Sequence, residues 1–195
     1  EEQAREAAAK RRVGLGFTGL GDALIMLGIR YDSDEGRNLA AEIARAMRDA
    51  AYSSSIELAK DRGAFPMLDV ERYLEGGFVS RLPDAMKEAI RQYGIRNSHL
   101  TSIAPTGTIS LAFADNASNG IEPAFAWFYN RVKRMPDGSK KTYTVEDHAY
   151  RVYRSMGHDV SDLPESFVSA LEISAIDHML MVAAVVPYID AAISK

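Results

Sequence analysis

Apolar residues recur along most of this chain at helical spacing, interrupted by short stretches that lack that period. Glu1 to Arg12 reads as a charged helix built on Ala7, Ala8 and Ala9. A glycine-rich stretch follows, and a helix is predicted to run to about Leu27, with Gly14, Gly16, Gly19 and Gly21 letting it pack closely on its neighbours. Asp32 or Ser33 then caps a long helix, with Glu35 placed to complete a capping box. Leu39, Ile43, Met47, Ala50, Ser54 and Leu58 fall on one face of it, and Gly63 ends it. Ala64 to Pro83 is mostly irregular, and a helix from about Asp84 to Tyr93 stops at Gly94. Leu100 to Ile103 reads as a short buried strand. Ala124 to Met135 is rich in aromatics, Pro136-Asp137-Gly138 is a turn and Lys141 to Val145 returns, which predicts a half-buried hairpin with one solvated face. Glu146 to Met156, Pro164 to Leu171 and Ala175 to Val186 are three further helices, the last capped by Ser174. Tyr188 to Ser194 is either a last helical turn or the entry to another buried strand.

The chemistry with most promise sits after the Leu100–Ile103 strand. Pro105 ends that strand, because proline has no amide to give a ladder. Thr106 stands where a helix N-cap belongs, Gly107 lets a ligand approach the backbone, and Ile109, Leu111, Ala112 and Phe113 supply an apolar face. Such a turn leaves the amides of residues 106 to 110 without intrahelical partners at the positive end of the helix dipole, a combination that favours a bound phosphate. No lysine stands in the turn, so a Walker-type loop is excluded. An ordinary helix cap remains the alternative on these residues alone.

Composition narrows the class. At 195 residues, 47% hydrophobic and 26% charged, the chain can bury a sizeable core as a soluble globular protein. A net charge of -4 and scattered basic residues argue against a nucleic-acid binder. No apolar run approaches bilayer length, and the first residues resemble neither a signal nor a transit peptide, so no membrane association is expected and the cytoplasm is the default. With no cysteine, the chain has no disulfide, thiolate metal site or thiol chemistry of its own. The missing initiating Met and the abrupt end at Ala-Ile-Ser-Lys lead us to expect a fragment of a longer chain, a single piece of one domain.

Gly14-Leu-Gly-Phe-Thr-Gly19 matches G-x-G-x-x-G, but a dinucleotide fingerprint follows a hydrophobic strand, and Lys10-Arg11-Arg12 precedes this one. Packing is the preferred role for these glycines. His99, His148, His158 and His178 lack metal-ligand spacing, so no metal is assigned. Glu122, the one tempting carboxylate, is given a structural hydrogen-bonding role.

Six stretches taken in order carry a resemblance: Arg12-Val-Gly-Leu-Gly-Phe-Thr-Gly-Leu-Gly-Asp-Ala-Leu, Leu58-Ala-Lys-Asp-Arg-Gly-Ala-Phe-Pro, Tyr93-Gly-Ile-Arg-Asn-Ser, Ile103-Ala-Pro-Thr-Gly-Thr-Ile-Ser, Asn119-Gly-Ile-Glu-Pro and Ala191-Ala-Ile-Ser-Lys. Together they resemble the C-terminal part of the catalytic subunit of ribonucleotide reductase, over essentially the whole chain. Arg131-Val-Lys-Arg-Met-Pro-Asp-Gly-Ser and the following Tyr143-Thr-Val-Glu-Asp-His-Ala-Tyr are more similar to the adenosylcobalamin-dependent class than to the large subunit of the di-iron class.

The resemblance implies an α/β fold: half of a ten-stranded α/β barrel, helix-rich, with a β-hairpin insertion, residues 1–195 being the C-terminal portion. It implies that Pro105, Thr106, Gly107, Thr108 and Ile109, with Ser110 adjacent, bind the phosphates of a ribonucleoside diphosphate, which is reduced to the 2′-deoxyribonucleotide by thiyl-radical chemistry. The cysteines that carry out that chemistry would lie outside these residues, so no catalytic residue is assigned here. Adenosylcobalamin is the implied cofactor, with no contact residue assigned. The implied partners are the ribonucleotide, the remainder of the same chain and a thioredoxin-type reductant, with a homodimer left open. The alternatives are the di-iron large subunit and a non-catalytic α/β scaffold whose Pro-Thr-Gly turn is only a cap.

Overall fold

The computed structural model describes all 195 residues as a mixture of helix and strand. Its elements are α1 (Glu2–Lys10), α2 (Leu20–Met26), α3 (Asp34–Arg62), α4 (Val70–Leu74), α5 (Asp84–Tyr93), α6 (Gly107–Phe113), β1 (Phe128–Arg134), β2 (Lys140–Glu146), α7 (His148–Ser155) and α8 (Ala175–Val185). They form two compact units. The first comprises Glu1–Gly16, Ala41–Ile103 and Val185–Ile193; the second comprises Phe17–Ala40, Ala104–Ala184 and Ser194–Lys195.

In the first unit, Tyr52, Ile56, Phe65, Leu82, Ile90, Ile95 and Leu100 form the apolar centre. The Leu100–Ile103 segment is extended, and it stands between two others with parallel bridges Leu15↔Thr101 and Ile103↔Ile193. Of the two alternatives for Tyr188 to Ser194, a 3₁₀ turn ends at Tyr188, bends follow at Asp190 and Ala191, and Ile193 makes an isolated bridge that is not buried as a strand would be. Asp190 ties this ladder to α3. Its carboxylate accepts from the Tyr52 hydroxyl at 2.8 Å, the Leu100 amide at 2.8 Å and the Thr101 amide at 2.9 Å.

Several expectations are corrected here. Val13 to Gly16 is extended rather than helical, and α2 starts only at Leu20. A Cβ on Gly16 would stand 2.2 Å from the Ser102 carbonyl oxygen, so the glycine permits ladder pairing rather than helix packing. The cap of α3 is Ser33, whose hydroxyl accepts from the Gly36 amide at 3.0 Å; with Gly36 at the third position, Glu35 completes no capping box. The buried stripe of α3 in this unit is Ala44, Arg48, Ala51, Tyr52, Ser55, Ile56 and Ala59. Of the residues expected inside, Met47 is half-buried while Ala50, Ser54 and Leu58 are exposed, and the four border an open apolar cavity of about 550 Å³. The irregular 64–83 stretch also contains α4, capped by Asp69, and a 3₁₀ turn at Val79–Arg81.

In the second unit, Leu20, Leu24, Tyr31, Ile121, Ala149, Val168 and Met181 are buried. β1 and β2 pair antiparallel from Phe128↔Glu146 to Arg134↔Lys140. Their residues are exposed on both faces apart from Val145 and Glu146 at the end of β2, so the expected half-burial is not found. Pro164 to Leu171 is not a helix. Its backbone forms turns, and the Ala170 amide donates to the Ala124 carbonyl at 2.8 Å. α7 begins at His148 because Glu146 is still paired in β2 and Asp147 caps the helix. The expected cap of α8 is formed: the Ser174 hydroxyl accepts from the Asp177 amide at 3.1 Å.

Candidate substrate-phosphate turn

The Leu100–Ile103 strand leads through Ala104 and Pro105 into α6, whose first residue is Gly107. Thr106 occupies the cap position in a left-handed conformation, φ 48° and ψ 20°, and its side chain does not cap the helix. That hydroxyl is used sideways instead. It accepts from the Gly120 amide at 2.8 Å and lies 2.7 Å from the Thr18 hydroxyl, which itself donates to the Ser118 carbonyl at 3.0 Å. With the Thr18 proton committed to Ser118, the Thr106 hydroxyl donates to Thr18, and the strained residue is held from both sides.

The consequence is a specific division of labour. Ser110 is buried; its amide donates to the Thr106 carbonyl at 2.7 Å, and its hydroxyl donates to the Ala117 carbonyl. The amides of Thr106, Gly107, Thr108 and Ile109 donate to no group of the chain, and Pro105, Thr108 and Ile109 are exposed. The turn therefore offers four free amides and the Thr108 hydroxyl, while the hydroxyls of Thr106 and Ser110 serve the scaffold. A Cβ on Gly107 would meet only Asn119 Nδ2, at 3.8 Å, and φ there is not positive. Neither packing nor backbone conformation demands a glycine at 107; close approach of a ligand would.

Gly107 and Leu111 border a cavity of about 230 Å³ lined also by Asn116 to Asn119, Pro123 to Ala126, Tyr129 and Asp147. Asp147 is 3% exposed. Asp22, from α2, is equally buried, and the two carboxyl groups lie within hydrogen-bonding reach of each other. Burial, then the neighbouring Asp22 charge, pushes the Asp147 carboxyl up to about 7. Asp22 is also raised, by burial first, while donors from Ser118 oppose the rise. Glu122 has the structural part expected of it: Lys195 Nζ donates to Glu122 Oε2 at 2.8 Å.

The family model described as ribonucleotide reductase, barrel domain, matches residues 1–195. The chain belongs to the ribonucleotide reductase family. It is 33% identical over 210 residues to a vitamin B12-dependent ribonucleoside-diphosphate reductase of Mycobacterium tuberculosis, covering 100% of this chain and 28% of the relative. A protein of the same name from Thermoplasma acidophilum is 30% identical over 95% of this chain and 24% of its own length. A ribonucleoside-diphosphate reductase large chain from Encephalitozoon cuniculi is 32% identical over 67% of this chain and 18% of its own length. The chain thus spans about a quarter of the length of the B12-dependent relatives named here.

Within this reductase-family chain, the residue-by-residue expectations for 105–110 missed the groups that hold the turn in shape. Thr18 and Gly120 sit in stretches singled out by motif and Ser118 just before one, but nothing in their spacing places them against Thr106. Asp22 carried a signal: a lone carboxylate among Leu20, Ala23, Leu24 and Ile25 on a helix must be either exposed or paired.

Proposed function

We propose that this chain is the C-terminal portion of the catalytic barrel of an adenosylcobalamin-dependent ribonucleotide reductase, and that Pro105 to Ser110 hold the phosphates of a ribonucleoside diphosphate. The observation that carries the site is the set of four unpaired amides beside a glycine that neither packing nor φ requires. Aligned amides make charge-assisted hydrogen bonds to an anion worth roughly 1.5 to 3 kcal/mol each. Thr108 adds an exposed hydroxyl; Thr106 and Ser110 hold the backbone in place.

The extended segments at 13–16, 100–103 and 192–193 are read as strands of half the ten-stranded barrel, and β1–β2 as an insertion on it. The B12-dependent relatives from M. tuberculosis and T. acidophilum cover 95–100% of this chain against 67% for the large chain, which favours the cobalamin class over the di-iron class. Adenosylcobalamin, when bound in the whole protein, supplies the radical. With no cysteine to receive it, these residues bind and orient substrate rather than carry the radical, and none is assigned to the cobalamin. A thioredoxin-type reductant and a cytoplasmic setting belong to the same proposal.

In the full-length protein carrying this chain, Gly107→Val is expected to raise the KM for CDP about 10- to 100-fold, the equivalent of one charge-assisted bond. Thr108→Ser, which keeps amide and hydroxyl, should change it little. Equal effects from the two substitutions would remove the turn from the site. The isolated 195-residue chain should reduce no CDP even with adenosylcobalamin and a dithiol; turnover would overturn the assignment of the chemistry to cysteines elsewhere.

A further inference from the structure

Asp22 and Asp147 form a buried acid pair that nothing in the phosphate turn itself requires. Asp22 Oδ1 accepts from the Ser118 amide at 3.0 Å, and the Ser118 hydroxyl accepts from the Asp22 amide at 3.2 Å. Asp147 Oδ1 accepts from the Tyr150 amide at 3.2 Å as the cap of α7. Asp22 Oδ2 is buried with no donor from the chain. The Asp147 carboxyl is the neighbouring side chain, and two carboxyl groups attract only if a proton lies between them.

The imidazole whose charge acts on the pair is His148, which opposes the rise at Asp22 but is engaged elsewhere. On α7, His148 faces Asp115 at 3.0 Å, and Arg151 also pairs with Asp115. At the end of β2, Glu146 is held by Arg154 at 2.7 Å. The 116–120 loop and α6 contribute no ionisable group, and Glu122 beyond the loop is paired with Lys195.

We propose that Asp22 and Asp147 share one proton and act as positioning residues for the substrate turn, gripping the 118–120 loop against Thr106 while the proton is present and loosening it once both are ionised. The path is short. Asp22 holds Ser118, the Ser118 carbonyl accepts from the Gly19 amide at 2.8 Å, and Gly120 donates to Thr106. Asp147 also lines the cavity that Gly107 borders. The effect on substrate rests on the phosphate-turn proposal above; the shared proton itself does not.

The proton leaves as pH rises through about 7. For the full-length protein, the dissociation constant for CDP should then rise on the order of tenfold between about pH 6 and about pH 8.5. The nucleotide's own last phosphate ionisation works in the opposite direction, since a more charged phosphate binds an amide nest more tightly. Asp147→Asn retains the helix cap and lets the amide donate to Asp22, so its affinity should lose that pH dependence. Asp22→Asn, whose amide can donate to Asp147, should do the same and serves if the first variant does not fold.

Difference infrared spectroscopy should show a protonated carboxyl band at low pH that disappears at high pH and is absent from either variant. Absence of that band from the wild type would overturn the shared proton. Its presence with an identical pH profile of CDP binding in wild type and variants would overturn the positioning role. Failure of the turn proposal is separately visible, because Gly107→Val would leave CDP binding unchanged while the infrared band persisted.

Discussion

Each unit of this chain uses buried or half-buried aspartate to tie distant segments together, and the two do so in opposite electrostatic ways. In the first unit, three donors converge on the Asp190 carboxylate: one hydroxyl and two strand amides. In the second, Asp22 and Asp147 each receive a backbone amide, and the two buried carboxyl groups are neighbours. The supply of donors, not the residue type, decides whether a carboxylate in the interior acts as a stable anchor or as a group whose charge follows pH.

The largest expected effect comes from removing the anchor. Asp190→Ala leaves the Leu100 and Thr101 amides and the Tyr52 hydroxyl without their acceptor, and each such loss costs about 1–3 kcal/mol when buried. Denaturant unfolding should show a loss on the order of 4 kcal/mol, with hydrogen exchange accelerated at amides 100 and 101. A loss below about 1 kcal/mol would mean that water replaces the carboxylate and that the comparison is overdrawn.

Next comes the pH dependence. Asp147 is raised from 3.8 to about 7, so the folded chain holds more protons than the unfolded one across that interval. Stability should therefore fall as pH rises from about 4 to about 7, by on the order of 4 kcal/mol, and then level off. Asp22, also raised, acts with the same sign. Carboxylates held below their ordinary values, such as Asp115 beside His148 and Arg151, act only at lower pH and destabilise as pH falls. Asp147→Asn should flatten the slope between pH 4 and 7, whereas Asp190→Asn should leave it in place; a slope indifferent to Asp147 would break the contrast.

The two glycines sharpen the comparison at smaller scale. Gly16→Ala drives a Cβ against the Ser102 carbonyl, a backbone atom with little room to yield, and should cost about 1–3 kcal/mol. Gly107→Ala meets only the Asn119 amide at ordinary contact distance and should change stability by no more than about 0.5 kcal/mol. The measurement is again the unfolding midpoint. A destabilising Gly107→Ala would make that glycine structural and weaken its assignment to substrate.

Local chemistry was readable from the sequence alone. Helix ends at Gly63 and Gly94, the cap at Ser174, the strand–turn–helix through Pro105 and the hairpin turn at Pro136-Asp137-Gly138 all follow from residues that act on their immediate neighbours. The motif order also led to the ribonucleotide reductase family. Contacts across long separations in sequence were not readable. Period alone could not choose between the Met47-Ala50-Ser54-Leu58 stripe of α3 and the adjacent Tyr52-Ile56-Ala59 stripe, because the segments that pack on the helix settle which is buried. Nor could it turn Gly14–Gly16 from helix to ladder, since Leu15 pairs with Thr101 far along the chain. The same holds for the turn. Its residues announced free amides, but which hydroxyls serve the scaffold depends on Thr18 and Gly120, and the proposed proton shared by Asp22 and Asp147 depends on folding having buried two acids side by side.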